Sequence, residues 1–387
     1  MKKIYLQQLS RWSRFRRLPQ LFHVGLLMQG RQIGQILLAL SLSMSALAVQ
    51  AQTIEKPSLA APSEIDLSTF AAAKALGRGI SLGNTFDAPK EGYWGITYDE
   101  ALLDRIKEAG FQTLRLPVRW TTRAKANAPY TIDPKFIQRI ASVVDAAHKR
   151  DLRVVMNMHH YRQLNGEDLD EAEPAIADDI VDERYLAIWQ QIAKHFNSYP
   201  DTLLFEPMNE PHKRLNADKW NRLFELVRLV IRAQNPQRYI VVGPSQWSNA
   251  AALPSLNINA QDRRLIVTIH TYDPFEFTHQ GAGWTKLKNS NLGVTCCTTA
   301  QVESITKPLV LAKQWSVNHR RPIWVGEWGS FDKAAMDSRV QYTRAARSAI
   351  EAQGFTWSYW ELASSFGIWD PKAKQWRTEL KQALLGP

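Results

Sequence analysis

Two glutamates stand where strands should end. Residues 203–211 read Leu-Leu-Phe-Glu-Pro-Met-Asn-Glu-Pro, a short apolar run that stops at Asn209-Glu210. Pro211 has no N–H for a sheet ladder and restricts the residue before it, so the strand is expected to end at Glu210. Residues 322–329 read Pro-Ile-Trp-Val-Gly-Glu-Trp-Gly and put Glu327 at a second tip. Two carboxylates on separate strand tips suit glycoside hydrolysis. One serves as acid/base and the other as nucleophile or base.

Bringing those tips together requires alternating strands and helices. Candidate strands cover residues 79–84, 112–118, 153–159, 203–211, 239–244, 265–272, 322–329 and 355–362. Candidate helices cover 97–109, 133–149, 182–196, 217–233, 299–318, 337–352 and 374–385, with a weak short helix after the fifth strand. The strands are nearly continuous apolar runs, as parallel strands covered by helices should be. Eight such units close an α/β fold, the (β/α)8 TIM barrel. An open doubly wound sheet would need a glycine-rich phosphate loop after the first strand, and residues 79–84, Gly-Ile-Ser-Leu-Gly-Asn, lack that spacing. A barrel puts every strand's C-terminal end on one face, where active sites are built. Asn84, Arg115, His159, Asn209, Glu210, His270, Tyr272, Glu327 and Trp360 would gather there.

These motifs, in their order, resemble glycoside hydrolase family 5, the cellulase and mannanase family of (β/α)8 barrels. The likeness rests on Leu-Arg-Leu-Pro at 114–117, Asn-Met-His-His at 157–160, Asn-Glu-Pro at 209–211, His-Thr-Tyr at 270–272, Gly-Glu-Trp-Gly at 326–329 and Trp360. It spans roughly residues 64–386. The runs from Gly83 to Asp87 and from Glu91 to Gly95 are most similar to bacterial β-glucanase branches, and Trp328 stands where many relatives have phenylalanine.

The resemblance implies Glu210 as acid/base, with a raised pKa, and Glu327 as nucleophile, kept ionised by Arg115 and Tyr272. It implies Asn209 on the sugar 2-hydroxyl, His159 and His270 binding hydroxyls and orienting the glutamates, and Trp360 stacking under the sugar. Retention of configuration would place the carboxyl groups about 5–5.5 Å apart. The expected activity is a retaining endo-β-1,4-glucanase of cellulase or lichenase type, acting without a cofactor. A β-mannanase or dual-specificity enzyme is the alternative. A non-catalytic carbohydrate-binding barrel would have lost one glutamate, and both are present.

Each polar residue also has a plainer use. Arg115 could simply pair with Glu206, which strand alternation places on the face of Glu210 but about 13 Å deeper, at ~3.3 Å per residue. His159 and His160 look like a metal pair, but neighbouring strand residues point to opposite faces, so no metal is expected. His160 could still turn towards substrate. Asp87 follows the first strand. Trp94, Trp247 and Trp284 fall in loops after strands one, five and six, where indoles either stack on sugars or pack. Fourteen tryptophans in the chain favour a long open cleft.

The net charge of +11 does not mark a nucleic-acid binder. Seven basic and no acidic residues fall in 1–51, and without them the charge is +4. That basic stretch precedes the apolar run 33–48 and a small-residue site at Val49-Gln50-Ala51, the pattern of an export signal rather than a membrane span. The expected domains are therefore a signal at 1–51, a flexible leader at 52–63 and a catalytic barrel at 64–387. The mature protein is expected to be a secreted or periplasmic monomer with a β-linked polysaccharide as its partner. It is expected to have no nucleic-acid partner and no lasting membrane association. The only cysteines, Cys296 and Cys297, are neighbours and read as two thiols in a loop.

Overall fold

Eight parallel strands hydrogen-bond in sequence order and close on themselves in the computed structural model, which describes residues 63–288 and 292–386. They are β1 (Arg78–Ser81), β2 (Thr113–Leu116), β3 (Arg153–Asn157), β4 (Leu203–Glu206), β5 (Ile240–Val242), β6 (Leu265–His270), β7 (Ile323–Glu327) and β8 (Thr356–Tyr359). Closure runs through β1 and β8, where Gly79 pairs with Ser358. This is the TIM barrel that the alternation predicts. The expected signal, 1–51, and all but the last residue of the leader lie outside the described residues.

Local sequence explains where the covering helices start. Asp133 caps α3 (Pro134–His148), with Pro134 at its first position. Asn216 caps α5 (Ala217–Gln234), and Thr298 with Gln301 forms a capping box for α6 (Thr299–His319). Each cap satisfies N–H groups that a helix start leaves without partners. The remaining covering helices are α2 (Ala101–Glu108), α4 (Val181–His195), α7 (Met336–Ala352) and α8 (Thr378–Leu385). After β5, where a weak short helix is expected, residues 246–248 instead form a left-handed turn that leads into a short 3-10 segment.

One helix was not visible in the sequence. A Ser63–Asp66 capping box opens α1 (Glu64–Ala75), which lies across the strand starts. Thr69 donates to the carbonyl of Arg263, Thr113 to Leu76 and Thr356 to Ala73. Ala73 and Leu76 pack with Val155, Leu204, Val241, Ile266 and Trp324 in a separate apolar cluster. The helix thus plugs the barrel at the end opposite the polar residues.

Several boundaries need correction. The fourth strand ends at Glu206 rather than Glu210, and Glu210 has a left-handed backbone with φ 47°. The apolar reading continued through Pro207 and Met208, where ladder pairing had already stopped. Residues 374–377 are not helical: a two-stranded hairpin, β9 (Trp369–Asp370) with β10 (Gln375–Trp376), precedes α8. Cys296 and Cys297 are not free thiols but are joined to each other in a disulfide.

Candidate active site

Arg115 is the centre of the polar face. It projects from β2 and is completely buried. Its Nε and Nη2 donate to Glu206 at 2.9 and 2.8 Å, and Nη2 also reaches Asn209 Oδ1 at 2.8 Å. Its Nη1 donates to Glu327 Oε1. The two readings of Arg115 are therefore both realised in one side chain. Burial opposes its charge, but the Glu206 and Glu327 carboxylates outweigh that and hold the guanidinium more firmly protonated than usual.

Around Glu327 the donors converge. Tyr272 donates its hydroxyl to Oε2 at 3.0 Å, and burial beside that carboxylate keeps the phenol protonated. His270 Nδ1 lies 2.8 Å from Glu210 Oε1 and 3.7 Å from Glu327 Oε2. Gly326 makes room for this ring, since a Cβ there would stand 2.5 Å from Thr268 Oγ1 and 3.0 Å from His270 Nε2.

The charges at this site differ from what the sequence led us to expect. Burial raises Glu210, but the hydrogen bond and charge of His270 outweigh it and leave the carboxyl below its usual value. Burial lifts Glu327 above its usual value despite Arg115 and His270, and the charge of Glu210 adds to the rise. His270 is pulled down by burial and raised further by the two glutamates, so its net shift is upward. The 2.8 Å contact thus ties the His270 and Glu210 shifts to each other.

The opposite wall holds Asn84, Asp87, His159, His160, Trp360 and Glu361. Trp360 stacks on His159 with ring centroids 5.0 Å apart and planes 1° from parallel. His159 touches neither glutamate: its Nδ1 meets Asn157 at 3.3 Å, and burial drives its pKa well down. His160 does not point away from His159, because the strand has ended at Asn157. The two rings meet edge to face at 4.6 Å, and Trp94 packs edge-on to His160. Burial brings His160 down to about 4. Asp87 accepts the backbone N–H groups of Asn84 and Thr85, and burial raises it to about 7.

Glu361 was missed by the sequence reading, although its place directly after Trp360 was a usable signal. It is fully buried and pushed up to about 8 by that burial. Ser364 donates to its Oε1, Asn84 donates to Ser364, and its Oε2 has no partner. His212 was also missed, although it follows Asn-Glu-Pro directly. Its ring stacks on Trp247 at 4.7 Å.

Among the described residues, two sets of three side chains come close enough to share a cation. Asp87, His159 and His160 offer atoms within 4.8 Å of one another, as do Glu210, His270 and Glu327. In the first set Asp87 is tied to backbone N–H groups and His159 to Asn157. In the second, His270 Nδ1 is engaged by Glu210, while Nε2 is buried without a partner. Neither is a set of uncommitted ligands.

Known proteins share this arrangement. The family model "Cellulase (glycosyl hydrolase family 5)" matches residues 74–365. Endoglucanase H of Acetivibrio thermocellus is 30% identical over 86% of this chain and 35% of its own length. Cellulase/esterase CelE of the same organism is 30% identical over 83% and 40%. The chain thus spans well under half of these two relatives. Among solved structures, Thermotoga maritima Cel5A with mannotriose is 39% identical with a TM-score of 0.77, covering 82% of this chain and 99% of that one. The cellulose synthase subunit Z of Clostridioides difficile gives 33% identity and a TM-score of 0.74, covering 80% and 99%. With its barrel, its paired glutamates and a family match over most of its length, the chain belongs to glycosyl hydrolase family 5, the cellulase family.

Proposed function

We propose that the protein is a retaining endo-β-1,4-glucanase in which Glu210 is the acid/base and Glu327 the nucleophile. The observation that carries this reading is the approach of the two carboxylates. One oxygen of each, with a nitrogen of His270, lies within 4.8 Å of the others. That favours direct attack over the roughly 6.5–9.5 Å separation that leaves room for an inverting water.

His270 stands where it can exchange a proton with the acid/base. The 2.8 Å contact lets a proton pass between His270 Nδ1 and Glu210 Oε1. Arg115, whose charge is the largest influence lowering Glu327, keeps the nucleophile's carboxylate favoured while Glu210 carries the proton. Such coupled groups titrate as a set rather than singly. Arg115 and Tyr272 hold Glu327 in aim. With its oxygen engaged by Arg115, Asn209 offers its N–H groups to a sugar hydroxyl. Trp360 forms the floor of the cleavage subsite. A cleft of about 410 Å³ lined by Pro89, Tyr93, Trp94, Asp170 and Glu171 extends the site beyond His160. Trp247, 51% exposed, offers a stacking face on the side of Glu210.

Mannan, or both polymers, is the second reading. Thermotoga maritima Cel5A has been solved with mannotriose and with cellobiose at 39% identity to this chain. We further propose export through residues 1–51 and action as a monomer outside the cytoplasm.

The test is reducing-sugar release from carboxymethyl cellulose, barley mixed-linkage glucan and galactomannan, with Glu210→Gln and Glu327→Gln alongside. Glucan cleavage abolished by both substitutions is the expected result. Cleavage mainly of galactomannan would move the assignment to the second reading. Activity that survives Glu327→Gln would remove the mechanism.

A further inference from the structure

We propose that His212, held by Glu167, is a positioning residue that fixes the backbone of Glu210 and carries Trp247, so that the proton donor and the platform beside it form one rigid unit. This rests on the assignment of Glu210 as acid/base.

His212 is enclosed by three active-site loops. Its Nδ1 lies 2.6 Å from the backbone oxygen of Glu210, and its Nε2 lies 3.0 Å from Glu167 Oε1 in the loop after β3. One flat face of the ring covers Trp247, with planes 15° apart, in the loop after β5. Its own N–H meets Asn165 Oδ1 at 3.4 Å, and Arg214 N donates to the Asn165 carbonyl. Trp247 N donates to the Pro211 carbonyl, closing the circle between the loops after β4 and β5.

The chemistry of the two contacts is specific. A backbone carbonyl can only accept, and so can an ionised carboxylate. Nδ1 can therefore meet the Glu210 carbonyl only by donating to it. Burial raises Glu167, but the hydrogen bond and charge of His212 outweigh it and keep the carboxyl below its usual value.

The arrangement also answers a local problem. Glu210 has φ 47°, and Gln246, Trp247 and Ser248 have φ between 56° and 59°, a region costly for residues with side chains. Such a backbone persists only where its surroundings over-determine it. The donor from His212 Nδ1 and the tie from Trp247 N act on these two segments. Because the acid/base stands on the leaving-group side of the bond, Trp247 beside it faces the departing sugar. Glu167 thus reaches the reaction only through His212.

The test compares two substrates of the full-length protein. Hydrolysis of β-glucan needs proton donation to a poor leaving group, whereas kcat/KM for 2,4-dinitrophenyl β-cellobioside does not. His212→Phe keeps a flat ring under Trp247 and removes both contacts. It should lower kcat/KM on barley glucan by roughly ten- to a hundredfold, the cost of misplacing a reacting group by about an ångström. On the dinitrophenyl substrate the loss should stay below about threefold. Glu167→Gln, which keeps an acceptor without the charge, should shift the same ratio in the same direction and decides the matter if His212→Phe does not fold. Equal losses on both substrates, or none, would overturn the inference while leaving the glucanase assignment intact. A wild-type protein that cleaves neither substrate would overturn both.

Discussion

Arg115 and Glu206 form two parallel hydrogen bonds, 2.9 and 2.8 Å long, with side-chain exposures of 0% and 1%. This fork fixes the guanidinium, so its remaining Nη1 can point only at Glu327. Removing the Glu206 charge leaves the buried Arg115 with Glu327 as its remaining counter-charge, at the cost of a lost hydrogen-bonded charge, about 1.5–3 kcal/mol. Glu206→Gln should therefore lower stability to denaturant by that order. It should also reduce kcat, because the aim of Arg115 relaxes. Chemical unfolding and kinetics on the same preparation check both.

Gly326→Ala should affect activity more than its size suggests. The new methyl would stand 2.5 Å from Thr268 Oγ1 and 3.0 Å from His270 Nε2, so the ring must shift away from its 2.8 Å contact with Glu210. A kcat loss of about a hundredfold is expected for a displacement near 1 Å. The same substitution at Gly354, where a Cβ would meet nothing within 4 Å but the φ of 74° is unfavourable, should cost stability and spare kcat.

The His270–Glu210 contact should give a stability window. His270 is raised above 6.5 in the folded protein, so its contribution is complete below about 6.5 and fades as pH climbs through the folded value. Glu210 is lowered below 4.5, so its contribution is present above about 4.5 and is lost as pH falls through the folded value. Both act together between these limits. The fall in melting temperature caused by His270→Asn should be larger at pH 5.5 than at pH 8.5, measured as a pH series of thermal scans.

Asp87 and Glu361 should work in the opposite sense. Raised to about 7 and about 8, they keep protons that the unfolded chain has already released. Stability should decline as pH rises from their ordinary range until each ionises, by up to about 1.4 kcal/mol per unit and per group. Asp87→Asn and Glu361→Gln should each flatten that decline. A comparison of unfolding free energies at pH 5 and pH 8 reads it directly.

The barrel and most of its polar face were legible because both depend on short-range patterns. Apolar runs such as Leu-Ile-Val-Thr-Ile at 265–269 make strands wherever helices can cover them, and the polar residue after each run falls on one face by topology. What sequence could not show was set by backbone geometry after the strands stop. Glu210 turns left-handed, and His159 and His160 come side by side, because pairing has ended and alternation no longer governs direction. The place of Glu361 after Trp360 was the one local signal for it, and its enclosure was not legible because Asn84 reaches it through Ser364 from the far end of the chain. The first helix was missed because its buried residues are few and small, Ala73 and Thr69 among them.

That helix also sets an orientation. Ala73 of α1 and Leu76 just after it pack across the strand starts, so the barrel is sealed at the end opposite the polar residues. A barrel closed on that side leaves the strand-end face, with Glu210 and Glu327, as the one by which a ligand can enter.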